Sequence, residues 1–268
     1  MKAVSKIAPD CDQKLMQVQN VSFFYPPRSR KHKPILALKN IEFTINPGEF
    51  ICLMGPSGCG KTSLLRLMAG YVFPSEGQIL WCGNQIEGPS VERGVIFQQP
   101  NLYPWLSCSD NIAFGPHMAK LPEDEVQETV ERLLRAVYLQ DFHDALPHEL
   151  SGGMKQRCSL ARSLATEPQL LLMDEPFGAL DAMTRWEMQS LIRKLSIETI
   201  TTIFMITHDI DEGLALADRI FVMSELPGQI IREFKVDFSA QAVANQSDRV
   251  EINAEYLSLR EEIVNLLT

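Results

Sequence analysis

The segment Phe50-Ile51-Cys52-Leu53-Met54 is wholly apolar, and Gly55-Pro56-Ser57-Gly58-Cys59-Gly60-Lys61-Thr62 follows it directly. A short apolar run reads as a parallel strand buried on both faces. The glycine-rich octet fits G-x-x-x-x-G-K-[ST] at every position and opens a helical pattern, Ser63 to Ala69, stopped by Gly70. Strand, glycine loop and helix in that order present backbone N–H groups and a helix N-terminus to an anion. Lys61 then reaches a terminal phosphate, and the Thr62 hydroxyl is a hard oxygen donor for Mg²⁺. A chain with this feature is committed to an α/β sheet whose ligand lies at the carboxyl ends of the strands.

The rest of the 268 residues agrees with that commitment. The runs 16–25 and 36–45 have β character, and 79–86 reads as a hairpin turning at Gly83-Asn84. From about 107 to 164 the period becomes helical, clearest over 122–139 with Val126, Val130, Leu133, Leu134 and Val137 on one face. Beyond it strands (170–173, 201–207, 219–224) alternate with helices (182–195, 211–217), the pattern of a parallel sheet. A last helix over 254–267 carries an apolar stripe of Leu257, Ile263, Val264 and Leu267. The division expected is a polar tail 1–14, a main domain 15–225 with a helical insert, and a short extension 226–268.

Composition narrows the partners. Charged residues are 22% and the net charge is −9, so a large polyanion such as nucleic acid is a poor partner. A small anion in a local basic pocket remains compatible with that balance. The six cysteines form no CxxC pair and read as reduced core or loop thiols. No signal peptide is expected, and no apolar stretch approaches the roughly 20 residues of a spanning helix. The basic loop 28–33 reads as a solvated surface, with lipid headgroups or a partner as the alternative.

Two further segments carry chemistry. Leu170-Leu171-Leu172-Met173 delivers Asp174 and Glu175 at a strand end, one placed for Mg²⁺ and the other for an attacking water. In Leu150-Ser151-Gly152-Gly153-Met154-Lys155-Gln156-Arg157, Ser151 can cap a helix whose first amides Gly152 and Gly153 leave bare. That is a second anion site in one chain.

Together these motifs resemble the ATP-binding subunits of ABC transporters over roughly residues 15–225. The resemblance implies a P-loop (RecA-like), mostly parallel sheet core with an N-terminal antiparallel β subdomain and an inserted α-helical subdomain. It makes Gly55–Thr62, with Ser63, the Walker A nucleotide loop, and Asp174 and Glu175 the Walker B pair with its catalytic glutamate. Residues 150–156 resemble the signature, with Met154 where Gln is commonest; Ser151, Gly152, Gly153 and Gln156 would meet the ATP of a second subunit. Gln98 resembles the Q-loop glutamine on Mg²⁺ and the water, with Gln99 as the neighbouring alternative. Asp181 resembles the D-loop acid and His208 the switch histidine on the γ-phosphate. Tyr25 resembles the aromatic that stacks on adenine, with Phe24 as the alternative.

Residues 97–106, 150–157, 177–185, Pro227-Gly228 and 256–263 resemble the nitrate/sulfonate/taurine importer group. The function implied is an ATPase motor, using Mg²⁺ with ATP, on the cytoplasmic face of the inner membrane. Its implied partners are membrane permease subunits, a second ATP-binding subunit and, indirectly, a substrate-binding protein. Trp105, Leu106 and Phe114 are candidates to line the groove that receives the permease. Cys59, beside a helix N-terminus, is expected to react with thiol reagents. The alternatives are another importer or split exporter class, or a soluble ABC ATPase acting on nucleic acid or ribosomes.

Overall fold

A computed structural model describes residues 14–26, 33–244 and 250–267. Most of the N-terminal tail and of the basic loop lie outside the described residues, as does Cys11. Strands β1 (Met16–Tyr25) and β2 (Ile35–Ile45) pair antiparallel and lead to β3 (Phe50–Met54) and helix α1 (Lys61–Ala69). Then come β4 (Glu76–Trp81), β5 (Asn84–Gln85) and β6 (Arg93–Ile96). Helices α2 (Cys108–Met118), α3 (Glu123–Ala136) and α4 (Gly152–Leu164) follow, with two short 3₁₀ turns before α4. The chain continues through β7 (Leu170–Asp174), α5 (Ala182–Thr199), β8 (Thr202–Ile206), α6 (Ile210–Leu216), β9 (Arg219–Met223) and β10 (Ile230–Lys235). It closes with α7 (Phe238–Ala244) and α8 (Ala254–Leu267).

Two sheets result. One is antiparallel in the order β2-β1-β4-β5; the other runs β10-β9-β3-β8-β7-β6, parallel except for the edge strand β10. The parallel strands are mainly apolar, with polar residues confined to their ends, because both faces are covered. Side chains alternate across a strand, so each strand feeds two cores. Phe50, Cys52, Met54, Leu171, Met173, Ile203 and Met205 join the helices α2 to α8. Ile51, Leu53, Leu170, Leu172, Phe204 and Ile206 join the antiparallel sheet and α1. Phe43 of β2 stacks on Phe204 at 5.8 Å and meets Phe221 at 5.1 Å, which locks the two sheets together.

The helical segment is held by its own apolar face and by polar ties. Val126, Val130, Leu133 and Leu134 of α3 are buried, as the period predicts. Arg157 of α4 donates to the carbonyls of Val137 (2.8 Å) and Tyr138 (3.1 Å), satisfying acceptors left open where α3 ends.

Several local expectations are corrected. The β4–β5 hairpin turns at Cys82-Gly83, with Trp81 opposite Asn84, one residue earlier than the Gly-Asn reading. Both turn residues have positive φ, 47° and 81°, which suits the twist of a two-residue hairpin. Cys82 is disulfide-bonded, against the expectation of six reduced thiols; Cys52, Cys59, Cys108 and Cys158 are free. Spacing along a chain does not say which thiols meet in space. On α8 the buried residues are Tyr256 and Ile263, and Leu257 points outward, 54% exposed. Among the described residues no helix is long and apolar enough to cross a membrane.

Candidate functional site

The carboxyl ends of β3, β6, β7 and β8 deliver the residues singled out above to one edge of the parallel sheet. β3 sits between β9 and β8 with every residue buried, so the loop that leaves it starts from a rigid base. Gly60 caps α1 at φ 108°, a conformation that side chains avoid, and a Cβ there would lie 2.8 Å from Leu38 Cδ2. Below the loop Gly228 presses against the Cys59 backbone and donates its N–H to the Ala37 carbonyl at 2.9 Å. The loop is thereby wedged between β2 and the segment after β9. The spacing motif did not assign Gly228 this supporting role, because the contact joins residues far apart in the chain.

Lys61 Nζ donates to the carbonyls of Gly55 (2.7 Å) and Pro56 (2.8 Å), so the ammonium lies curled within the loop. Ser57 and Gly58 are exposed at the rim. Cys59 is only 1% exposed, which overturns the expectation of a reactive thiol: its side chain packs beneath the loop, not on it. Thr62 Oγ1 donates to Asp174 Oδ2 at 2.8 Å, so two hard oxygen donors from α1 and β7 already share one point. Burial pushes the Asp174 carboxyl above the usual range, and the Thr62 hydrogen bond opposes that. Two protein oxygens suit Mg²⁺, which keeps waters and takes further ligands from phosphates.

Glu175 follows Asp174 with φ 47°, a left-handed conformation for a non-glycine residue. The twist separates the roles of the two acids. Asp174 meets Thr62, whereas Glu175 Oε2 accepts from Gln98 Nε2 at 2.9 Å and Oε1 lies 3.4 Å from His208 Nδ1. Gln98, Glu175 and His208 thus meet around one carboxylate although they come from three strand ends. Gln98 is on Glu175 here rather than on the Thr62–Asp174 pair. Tyr25, from the antiparallel sheet, hydrogen-bonds Ser63 at 2.8 Å and stands at the rim beside α1, its ring edge-on to Phe23.

The segment that opens α4 comes from the helical part of the chain. Ser151 caps α4 by accepting the Met154 N–H at 3.2 Å, and Ser151 and Gly152 are exposed. Gln156, expected to face outward with them, is instead buried, 2% exposed, and donates to the Phe97 carbonyl at 3.4 Å. It sits five residues on from Ser151, about 140° round α4 and on the face that packs inward, and ties that helix to the strand end carrying Gln98. Asp181 caps α5 by accepting from Met183 and Thr184 at 3.1 Å each. The Thr184 amide foremost holds its carboxyl below the usual range.

Trp105 is 72% exposed and Phe114 borders the same patch, with Tyr103 between them at 5.7 and 4.6 Å. Leu106 is half-buried. Buried Asn111 fixes this loop: it accepts the Tyr103 N–H and donates to the carbonyls of Tyr103, Leu106 and Ser107. Asn111 was not singled out by any motif; only its place one turn into α2 hints at such a role.

This geometry has close relatives. The chain is 43% identical to the taurine import ATP-binding protein TauB of Roseobacter denitrificans, over 94% of this chain and 93% of that one. It is 42% identical to the TauB of Escherichia coli, over 85% and 90%. Among solved structures, an ATP-binding cassette in a dimeric post-hydrolysis state with ADP and Pi is similar at TM-score 0.74 and 31% identity, over 82% of this chain and 98% of that one. The cbiO1 subunit from Clostridium perfringens, part of the cbiONQ transporter complex, is similar at TM-score 0.73 and 28% identity, over 94% and 99%. The sequence profile described as ABC transporter matches residues 38–178, the stretch that contains the glycine loop, the Gln98 segment, α4 and the acid pair. The chain belongs to the ABC transporter family.

Proposed function

We propose that this chain is the ATP-hydrolysing motor of an ABC importer, driving uptake of taurine or a similar small sulfonate through a separate permease. The observation that carries the ATPase reading is the convergence of Lys61, the Thr62–Asp174 pair and the Gln98–Glu175–His208 cluster at adjoining strand ends. Loop amides of Gly55 to Thr62, with Ser63 and Tyr25 beside them, hold the nucleotide. Thr62 and Asp174, with Gln98, would hold Mg²⁺, which would supply positive charge against the phosphates there. Glu175 takes the proton of the attacking water while Gln98 fixes its carboxylate. The water oxygen bonds to the γ-phosphorus as its bond to the bridging oxygen breaks, and ADP departs with that electron pair, leaving phosphate. His208 marks the γ-phosphate, so the site distinguishes ATP from ADP.

The second subunit is inferred from glycines. Gly152 has no positive φ, and a Cβ placed on it would meet nothing within 4 Å of this chain. Nothing inside the molecule requires glycine there. A demand from outside, such as the ATP phosphates of a two-fold partner against Ser151-Gly152-Gly153, accounts for it. The D-loop Asp181, exposed at the start of α5, is assigned to the same contact. The permease is assigned to the Trp105 and Phe114 patch, which would place the chain peripherally on the membrane.

Import is tested by deleting the gene and measuring uptake of labelled taurine. Uptake should vanish and return with the wild-type chain; undiminished uptake overturns the substrate. In the complemented strain Trp105→Ala should cut uptake roughly tenfold or more, the scale of a lost aromatic anchor, while the purified protein keeps its ATPase. Equal loss of both activities removes the permease from this patch.

A further inference from the structure

His208 leaves β8 on a short connection, and its side chain is 71% exposed, so its aim is set by the backbone that carries it rather than by packing around the ring. That backbone is held on the inner side by a polar knot. Thr207 Oγ1 donates to Glu212 Oε2 at 2.6 Å and accepts the Asp209 N–H at 3.0 Å. Gln189 of α5 donates to Glu212 Oε1 at 3.1 Å, and Asp209 caps α6 by accepting from Asp211 and Glu212.

The other handle is Asp211, in the first turn of α6, and it reaches α8. Tyr256 Oη donates to Asp211 Oδ1 at 2.9 Å, and Arg260 Nε donates to the same oxygen at 2.9 Å. Arg260 Nη2 closes on Oδ2 at 3.4 Å. Tyr256 and Arg260 stand four residues apart, on one face of a helix. Tyr256 is 4% exposed and packs edge-on to Phe238 of α7, and Ile263 is fully buried, so α8 is a firm anchor. An exposed ion pair alone would hold little. Here a buried hydroxyl ends on the same carboxylate, and burial together with Asp211 keeps the phenol protonated and donating.

We propose that the C-terminal helix positions the γ-phosphate histidine: the Tyr256–Arg260 clamp on Asp211 fixes α6 and with it the loop that aims His208. The proposal rests on the reading of His208 given above. Tyr256 and Arg260 are positioning residues, remote from ATP, and they give the C-terminal extension control over turnover.

The test uses the full chain with Tyr256→Phe, which keeps the ring, and Arg260→Ala, at an exposed position, with Arg260→Lys as the conservative variant. His208→Ala is the reference. ATP hydrolysis should show kcat lowered roughly tenfold in Tyr256→Phe and Arg260→Ala, the scale of a lost charge-assisted hydrogen bond, with KM within about twofold. ADP affinity should stay at the wild-type value, because ADP has no γ-phosphate for His208 to find, and Arg260→Lys should recover most of kcat. Wild-type kcat in His208→Ala overturns the histidine reading on which the proposal stands. An inactive His208→Ala beside clamp variants of wild-type kcat overturns the positioning role itself. ADP affinity that falls in step with kcat also overturns it, since that marks a general loss of structure.

Discussion

Two glycine-rich segments open helices in this chain, Gly55 to Thr62 before α1 and Ser151-Gly152-Gly153 before α4, and they are built in opposite ways. The first is determined from within. Gly60 holds φ 108° against Leu38, Gly228 supports the loop from below, and Lys61 folds into its carbonyls. The second is an ordinary helix start with a serine cap, exposed, and its Gly152 answers to nothing in the chain that surrounds it, whereas a Cβ on Gly153 would lie 3.3 Å from Leu180 Cδ2. Gly60, required by its own backbone, belongs to a loop complete in one molecule. Gly152, required by nothing nearby, is where we place half of a site.

The largest effect expected is at Glu175. Glu175→Gln removes the base and keeps the shape, so hydrolysis should fall about 100-fold or more while ATP still binds. Trapped ATP should then hold two copies together through the second segment, visible as an ATP-dependent dimer by light scattering. A mutant that stays monomeric in saturating Mg-ATP breaks the comparison, because the second segment would then have no partner to complete it.

Gly60→Ala and Gly152→Val sharpen the contrast. At Gly60 the added Cβ meets Leu38 Cδ2 and, at 3.0 Å, the Ala37 carbonyl, in a conformation that already disfavours side chains. A stability loss of about 2 kcal/mol or more is expected in thermal unfolding, together with loss of ATP binding. At Gly152 the Cβ meets open space, so unfolding should move by no more than about 0.5 kcal/mol. ATP-dependent dimerisation should nonetheless weaken by about tenfold or more, or 1.4 kcal/mol. If Gly152→Val dimerises and hydrolyses normally, the second segment is only a helix start.

What was legible in the sequence divides along the same line. The first segment was readable because strand, loop and helix are contiguous and the loop chemistry is local. So was the alternation that builds the parallel sheet, since residues 50–54 and 170–173 are apolar throughout and a helical pattern follows each. Illegible were contacts between distant residues. Nothing near Asp211 announces Tyr256 and Arg260, and nothing near Gly228 announces the Cys59 backbone. The motif groups Gln156 with Ser151, yet five residues turn α4 by about 140° and bring it to the inward face and onto Phe97. The place of Cys59 beside a helix N-terminus suggests a reactive thiol; the turn that exposes Ser57 and Gly58 instead tucks its side chain under the loop. A motif fixes which residues belong together but not which way each one faces.

The smallest expected change in stability is the most discriminating, because Ser151 has two roles that a single substitution separates. As a cap it accepts one amide, that of Met154, and Ser151→Ala should cost about 1 kcal/mol of stability. Aspartate caps as well as serine and is favoured by the helix dipole, so Ser151→Asp should unfold at the wild-type temperature or slightly above it. The same carboxylate puts a negative charge where the partner's phosphates are proposed to lie. Dimer closure in the Glu175→Gln background should then fail in a protein whose fold is untouched, and titration with Mg-ATP followed by size-exclusion chromatography reads it directly. Normal closure of Ser151→Asp would mean that no anion comes near this helix start, and the serine would keep only its role as a cap.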